Sequence, residues 1–296
     1  MKTYMCFDIG GTAVKYGVAD EKGKLLRKGE IPNSIMQKGV DGLLEDLTAV
    51  TGENRNKFDL QGVAVSTAGV VDPDRGLILC APKYFPGYPG TPLKEKLTDR
   101  CGLPCAVEND VNAAALGEYW LGAGRGAKSL FCITVGTGIG GCAMLDGNVI
   151  HGAAFFGGEA GLQRVMPEYT WEEMASVSAL IRNVAKAKGM PETELDGRKI
   201  FAMAQAGDEA ASAAIAKQME DLAAGIANIC YILNPERIII GGGITAQKKY
   251  LYPLLDEAMR KRLFPLVYEN MTLCFAELTN DAGLVGALYN FLREHK

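Results

Sequence analysis

Residues 7–17 run Phe7-Asp8-Ile9-Gly10-Gly11-Thr12-Ala13-Val14-Lys15-Tyr16-Gly17, two strand-like stretches on either side of a Gly-Gly-Thr turn. A turn at Asp20-Glu21-Lys22-Gly23-Lys24 and a third strand over Leu25–Ile31 follow. The same pattern returns later. Ser129–Val135 reads as strand and Gly136-Thr137-Gly138-Ile139-Gly140-Gly141 as a second glycine-threonine turn. Cys142–Leu145, the turn Asp146-Gly147-Asn148 and the strand Val149-Ile150 complete it. A chain that uses this unit twice is expected to build two related halves. Two unrelated β-meanders are the other reading, which leaves the Gly/Thr chemistry common to both turns without a reason.

Between the repeats, strands alternate with helices. Val40, Leu43, Leu44, Leu47 and Val50 recur at helical spacing, and Gly62–Thr67 is an apolar, buried strand. Prolines 73, 82, 86, 89 and 92 punctuate a long loop region before a short helix over Leu93–Arg100. The strand Cys105–Glu108 emerges at Asn109-Asp110, and a helix is expected over Ala113–Leu121. Later helices are expected over Trp171–Lys188, Gly197–Asp208 and Ala210–Leu233, the last stopped by Asn234-Pro235. Arg237–Gly243 reads as a buried strand ending in a third glycine turn, Met271–Ala276 as the last strand and Ala282–Arg293 as a closing helix. Such alternation indicates an α/β protein, here of two halves with a cleft between them.

The bulk numbers exclude several classes. Net charge is 31 − 35 = −4 over 296 residues with no basic run, which argues against a nucleic-acid or membrane-surface partner. No apolar run approaches the length of a transmembrane helix. The eight cysteines lie mostly in apolar runs without a close-spaced metal quartet, and no N-terminal signal segment is read, so they are expected as reduced thiols in a cytoplasmic protein. Cys101 and Cys105 are the nearest pair, but the two histidines, His151 and His295, lie far from them in sequence, so no zinc site is expected.

Three glycine turns therefore end strands, at Gly10-Gly11-Thr12, Gly136-Thr137-Gly138 and Gly241-Gly242-Gly243. Ligands of α/β sheets gather at such strand ends. Glycines let the backbone come close to a phosphate, so that N–H groups and the Thr12 hydroxyl can point at anionic oxygens. Asp8 could hold Mg²⁺, which prefers carboxylate oxygens and retained waters. The opening stretch is not the strand–turn–helix phosphate loop, since no Gly-Lys-Ser/Thr follows, and an ordinary hairpin stays open. In Glu108-Asn109-Asp110-Val111-Asn112, Asp110 is placed for a general base and Asn109 for bonding sugar hydroxyls. Equally, Asp110 or Asn112 could simply cap the next helix. Glu159, between glycines in Gly157-Gly158-Glu159-Ala160-Gly161, can accept hydrogen bonds from a polyol or be plain solvated surface.

Together these segments resemble the sugar-kinase branch of the ROK (repressor, open reading frame, kinase) family, across nearly the whole chain. The match rests on Asp8–Thr12, Glu108–Ala114, Val135–Gly141, Gly158-Glu159, Gly241–Gly243 and Asn280-Asp281-Ala282-Gly283, in this order. It implies a two-domain actin/hexokinase/Hsp70-like ATPase fold with ribonuclease H-like halves. The expected division is 1–112, completed by a C-terminal helix over 282–296, and a larger domain over 113–281. By resemblance Asp8, Gly10, Gly11 and Thr12, with Lys15, handle the γ-phosphate of ATP and Mg²⁺; Gly136, Thr137 and Gly138 handle a second phosphate segment; Gly241, Gly242 and Gly243 lie by the adenosine. Asp110 is the implied base, with Asn109, Glu159, Glu172 and Gly69 on the sugar side. A homodimer is also implied.

Two departures bear on the substrate. Leu162 stands where the family usually has a histidine, and no cysteine lies between Cys142 and Cys230, so structural zinc is not expected. Ala68 replaces a family proline before Gly69. Zinc-less members include β-glucoside kinases, which must leave room for a group on the anomeric oxygen, alongside glucokinases. The expected reaction is transfer from MgATP to the 6-hydroxyl of glucose or a β-glucoside, with fructose and N-acetylmannosamine as other acceptors. A sugar-binding transcriptional regulator of the same family would need a helix-turn-helix before the strand at residue 3. An ATPase switch would not need the polyol set at Glu108–Asp110 and Glu159.

Overall fold

The opening hairpin organises the first of two sheets. In the computed structural model, which describes residues 1–295, strands β1 (Thr3–Ile9) and β2 (Ala13–Asp20) pair antiparallel out to Ile9↔Val14, leaving the Gly-Gly-Thr turn at the tip. Strand β3 (Leu25–Pro32) adds antiparallel to β2. Helix α1 (Ile35–Arg55) begins five residues before the spacing predicts, carried through a kink at Gly39, whose φ is +68°. Strand β4 (Leu60–Thr67) runs parallel to β1. A small hairpin, β5 (Val70–Asp72) with β6 (Leu77–Cys80), precedes helix α2 (Leu93–Cys101). Strand β7 (Cys105–Asn109) lies parallel to β4 and leads straight into α3 (Asp110–Leu121). The sheet order is β3-β2-β1-β4-β7.

The second sheet repeats that plan. Strands β8 (Ser129–Val135), β9 (Ile139–Leu145) and β10 (Asn148–Val149) form its antiparallel part. A two-strand ribbon, β11 (Arg164–Met166) with β12 (Tyr169–Thr170), leads to helices α4 (Trp171–Ala175), α5 (Val177–Lys188), α6 (Gly197–Gln205) and α7 (Glu209–Leu233). Strand β13 (Arg237–Gly241) pairs parallel to β8, and after α8 (Lys248–Arg262) and α9 (Pro265–Glu269) strand β14 (Thr272–Phe275) pairs parallel to β13. The order β10-β9-β8-β13-β14 is the first sheet's order again, strand for strand and direction for direction. Helix α10 (Ala282–Glu294) closes the described chain; of the helix expected over 282–296, residue 296 lies outside the described residues.

Helix α3 starts at Asp110, three residues before the expected Ala113, and three other boundaries differ from the spacing for local reasons. The helix expected over Trp171–Lys188 is two helices, because Ser176 is extended (ψ 168°) and its hydroxyl caps α5 by accepting from the Ala179 N–H at 3.1 Å. The one expected to reach Asp208 ends at Gln205, since Asp208 is the N-cap of α7, accepting from the Ala211 N–H at 2.9 Å. Strand β13 stops at Gly241, before Gly242 at φ +83°.

The chain divides into two compact units, one made of Met1–Arg125, His151–Phe156 and the residues from Asn280 on, the other of Gly126–Ile150 and Gly157–Thr279. In the first unit, strand alternation splits the side chains between two faces. Met5, Phe7, Val65 and Val107 pack with Leu43, Leu44 and Leu47 of α1, whereas Cys6, Ala64 and Ala106 meet Leu284, Leu288 and Phe291 of α10. In the second unit Trp171 is wholly buried, its indole N–H donating to the Asp221 carbonyl at 3.0 Å, and α7 accommodates it at Gly225. No helix among the described residues is long and apolar enough to cross a membrane.

Candidate functional site

In the first unit Asp8 ends β1 beside the glycine turn. Its Oδ1 accepts from the Ser66 hydroxyl on β4 at 2.8 Å, and Lys15 Nζ on β2 stands 4.0 Å from Oδ2. Burial raises the Asp8 carboxyl above its ordinary range, only partly countered by Ser66 and Lys15. Gly283, the second residue of α10, presses on it from the other side: a Cβ there would sit 2.9 Å from the carboxylate. The turn is held by Asn33, which donates from Nδ2 to the Gly10 carbonyl at 2.7 Å and from its backbone N–H to the Thr12 carbonyl at 3.0 Å. Gly11 and Thr12 are exposed, and Gly11 lies under the ring of Tyr84, which a Cβ would strike at 2.8 Å.

The β7–α3 corner of the same unit is a closed hydrogen-bond network. Asn109, not Asp110 or Asn112, is the N-cap: its Oδ1 accepts from the N–H groups of Val111 (2.9 Å) and Asn112 (3.0 Å). Its Nδ2 donates to the Gly69 carbonyl at 2.8 Å and to Asp110 Oδ1 at 3.0 Å. All four positions of that amide are thus engaged. Asp110 Oδ1 also takes the Val111 N–H at 2.9 Å. Glu108, 1% exposed, accepts at Oε1 from the Asn109 N–H (2.8 Å) and from Asn112 Nδ2 (3.0 Å). Its Oε2 lies 2.9 Å from His151 Nε2. Gly69 is at φ +105°, where a side chain would run into the Cys80 carbonyl.

In the second unit, the Gly136-Thr137-Gly138 turn closes with a Gly136 N–H to Gly138 carbonyl bond of 3.0 Å, and Thr137 is exposed. Glu172, on α4, accepts from the Ile139 N–H at 3.3 Å and lies against Gly138, where a Cβ would meet its carboxylate. Partial desolvation, and then the Glu172 charge, raise the Glu159 carboxyl above its usual range. The third turn is seated on the second strand: a side chain at Gly242 would collide with the Val135 backbone. Leu162 is exposed, closing a single 3₁₀ turn (Ala160–Leu162) after Glu159.

Asp8, Gly10, Gly11, Thr12, Lys15, Gly69, Asn109 and Asp110 therefore belong to the first unit, and Gly136, Thr137, Gly138, Glu159, Glu172, Gly241, Gly242 and Gly243 to the second. Ser66, Asn33 and His151 join these residues through hydrogen bonds that no local motif announces, and Gly283, from the Asn280–Gly283 segment, abuts Asp8. Among the described residues no group of three or more His, Cys, Asp or Glu is set to hold a metal ion. The single carboxylate of Asp8 suits a magnesium ion that takes its other ligands from nucleotide and water.

Comparison with known proteins agrees with this architecture. The ROK family model matches residues 4–294. An uncharacterized protein of Clostridium perfringens is 42% identical over 98% of both chains. The β-glucoside kinase of Listeria monocytogenes is 36% identical over 97% of this chain and 97% of its own. The structure of a ROK family glucokinase from Streptomyces griseus, in complex with glucose and AMPPNP, matches with a TM-score of 0.83 at 30% identity, over 97% of this chain and 98% of that one. The two mixed five-stranded sheets have the actin-like ATPase fold.

Proposed function

The chain belongs to the ROK family, and from that premise we propose that it is an ATP-dependent sugar kinase with Asp110 as general base. The observation that carries this reading is the β7–α3 corner, which fixes the Asp110 carboxylate through bonds to its Oδ1 at the end of a buried strand. A group so fixed loses little freedom when it takes a proton from an attacking hydroxyl. The hydroxyl oxygen then bonds to the γ-phosphorus as the bond to the bridging oxygen of ADP breaks. Asp8 would hold Mg²⁺ together with nucleotide oxygens; when bound, the ion offsets the charge of the phosphates. The two glycine-threonine turns supply backbone N–H groups to phosphate, Lys15 adds a positive charge, and Gly241–Gly243 border the adenosine.

On the sugar side, Glu159 is the hydroxyl acceptor and Glu172 divides its carboxylate between the sugar and the Gly138-Ile139 backbone. Asn109 can touch a sugar only by exchanging one of its four bonds, so its first role is to hold Asp110. The acceptor hydroxyl is the 6-OH of glucose or a β-glucoside, and Leu162 in place of a histidine lacks a polar contact near the anomeric carbon, which suits an acceptor carrying a group on that oxygen. A coupled ADP-release assay with glucose, mannose, fructose, N-acetylmannosamine and cellobiose tests this. Turnover of cellobiose well above glucose is the expected result; N-acetylmannosamine or fructose as the best acceptor would overturn the substrate assignment, and sugar-independent ATP turnover the kinase itself.

A homodimer is part of this reading. In the second unit Tyr231 (55% exposed), Ile232 (80%), Phe264 (65%) and Leu266 (65%) are exposed apolar residues, and the Tyr231 hydroxyl joins the first to the third by donating to the Arg262 carbonyl and accepting from the Phe264 N–H. Light scattering should give a dimer mass, and Ile232→Glu should shift it to monomer. A monomeric parent protein would remove the assignment.

A further inference from the structure

We propose that His151 is a positioning residue of the transfer reaction, acting through Glu108 to fix the β7–α3 corner that carries Asp110. This rests on the reading of Asp110 as general base. Glu108 is buried and can only accept, so His151 Nε2–H is the donor for Oε2, while Oε1 is filled by Asn109 and Asn112. Removing that donor leaves a buried carboxylate oxygen short of a partner two residues from Asp110, and the corner must shift to satisfy it. The histidine is itself held. It opens the short segment His151–Phe156 that packs in the first unit, where Gly152 is at φ +73° and Phe155 at φ +60°. A left-handed phenylalanine persists only where its surroundings hold it, and its ring stands edge-on to the imidazole at 6.3 Å between centroids.

The pair is also a titrating one. Burial alone would lower the His151 pKa, but the bond and charge of Glu108, with Asp74 of the β5–β6 turn, carry it above the ordinary 6.5 against the opposing charge of Arg293 on α10. A raised folded-state value means that the charged pair stabilises the fold fully below 6.5 and loses that contribution as pH rises through the folded pKa. Above it, the imidazole no longer brings a positive charge to the corner that carries Asp110.

The chain has two histidines, so imidazole NMR resolves the titration without any substrate. One imidazole should titrate above 6.5 and move down in Glu108→Gln; its failure to move overturns the proposal. With the acceptor turned over fastest in the five-sugar screen, His151→Met should lower kcat by about ten- to a hundredfold, the scale of a misplaced catalytic group, with KM for ATP unchanged. His151→Gln keeps a donor at the Nε2 position and should recover most of kcat while losing the inflection in kcat expected above pH 6.5 as His151 of the parent gives up its proton. Parental kcat in His151→Met, or an unchanged inflection in His151→Gln, overturns the proposal, and the second decides alone if the Met variant fails to fold. The two readings fail separately. Parental turnover by Asp110→Asn sinks the base assignment, whereas an inactive Asp110→Asn with a fully active His151→Met sinks the role of His151.

Discussion

Asp110→Asn should fold as the parent does and lose about 10²–10⁴ in kcat, the usual worth of a positioned general base. The geometry explains why the two effects separate. Asp110 meets the corner through Oδ1, which accepts from Asn109 Nδ2 and the Val111 N–H. An asparagine carbonyl oxygen can occupy that position and take both bonds, and the N-cap itself belongs to Asn109 and is untouched. The lost property is basicity, since an amide does not take up a proton near neutral pH. Steady-state assays with MgATP and the best acceptor, alongside thermal unfolding, check this. The expected pattern is a Tm close to the parent and a fall confined to kcat; turnover near the parent's would remove Asp110 from the reaction.

Much of this arrangement is written locally in the chain, and the part that is not depends on distant contacts. The two glycine-threonine hairpins are legible because a strand, its turn and its partner strand are contiguous, and the recurrence of the same order at 129–150 reveals the shared sheet plan before any long-range pairing is known. The parallel strands β4, β7 and β13 are legible from their short apolar centres, Gly62–Val65, Cys105–Val107 and Ile238–Ile240, as expected of strands covered on both faces. Helix α8 is not legible by local rules although Leu251, Leu255, Ala258 and Met259 follow helical spacing, because Pro253 inside it signals a break. Sequence alone leaves Asp110 and Asn112 open as possible caps of α3 because it does not say where β7 hands over to the helix; the strand continues through Asn109, which makes that residue the cap. Nothing near Gly10 in sequence points to Asn33, nor anything near Glu108 to His151. Those partners are 23 and 43 residues away, and only the folded sheet brings them together.

The largest effect on stability is expected where α3 crosses α10 in the first unit, at Gly286. A Cβ placed there would land on the Ala113 carbonyl and lie 2.8 Å from the Gly117 nitrogen, while one at Gly117 would lie 2.6 Å from the Ala282 carbonyl. These are backbone atoms of two packed helices, which cannot turn aside as a flexible side chain can, so an added methyl must push the helices apart. Gly286→Ala should therefore cost about 3 kcal/mol, the upper end of the overpacking range. The displacement also reaches the proposed site, because α3 begins at Asp110 and Gly283 of α10 abuts the Asp8 carboxylate. Gly52→Ala is the matching control of opposite sign. It is exposed in α1 with open space around its Cβ position, so replacing glycine by alanine should stabilise the helix by about 0.5–1 kcal/mol. Denaturant unfolding of both variants reads the comparison: a lowered midpoint for Gly286→Ala with a raised one for Gly52→Ala is expected. A Gly286→Ala protein as stable as the parent would show that the α3–α10 crossing has slack, and would remove the close helix contact as the reason for glycine at both positions.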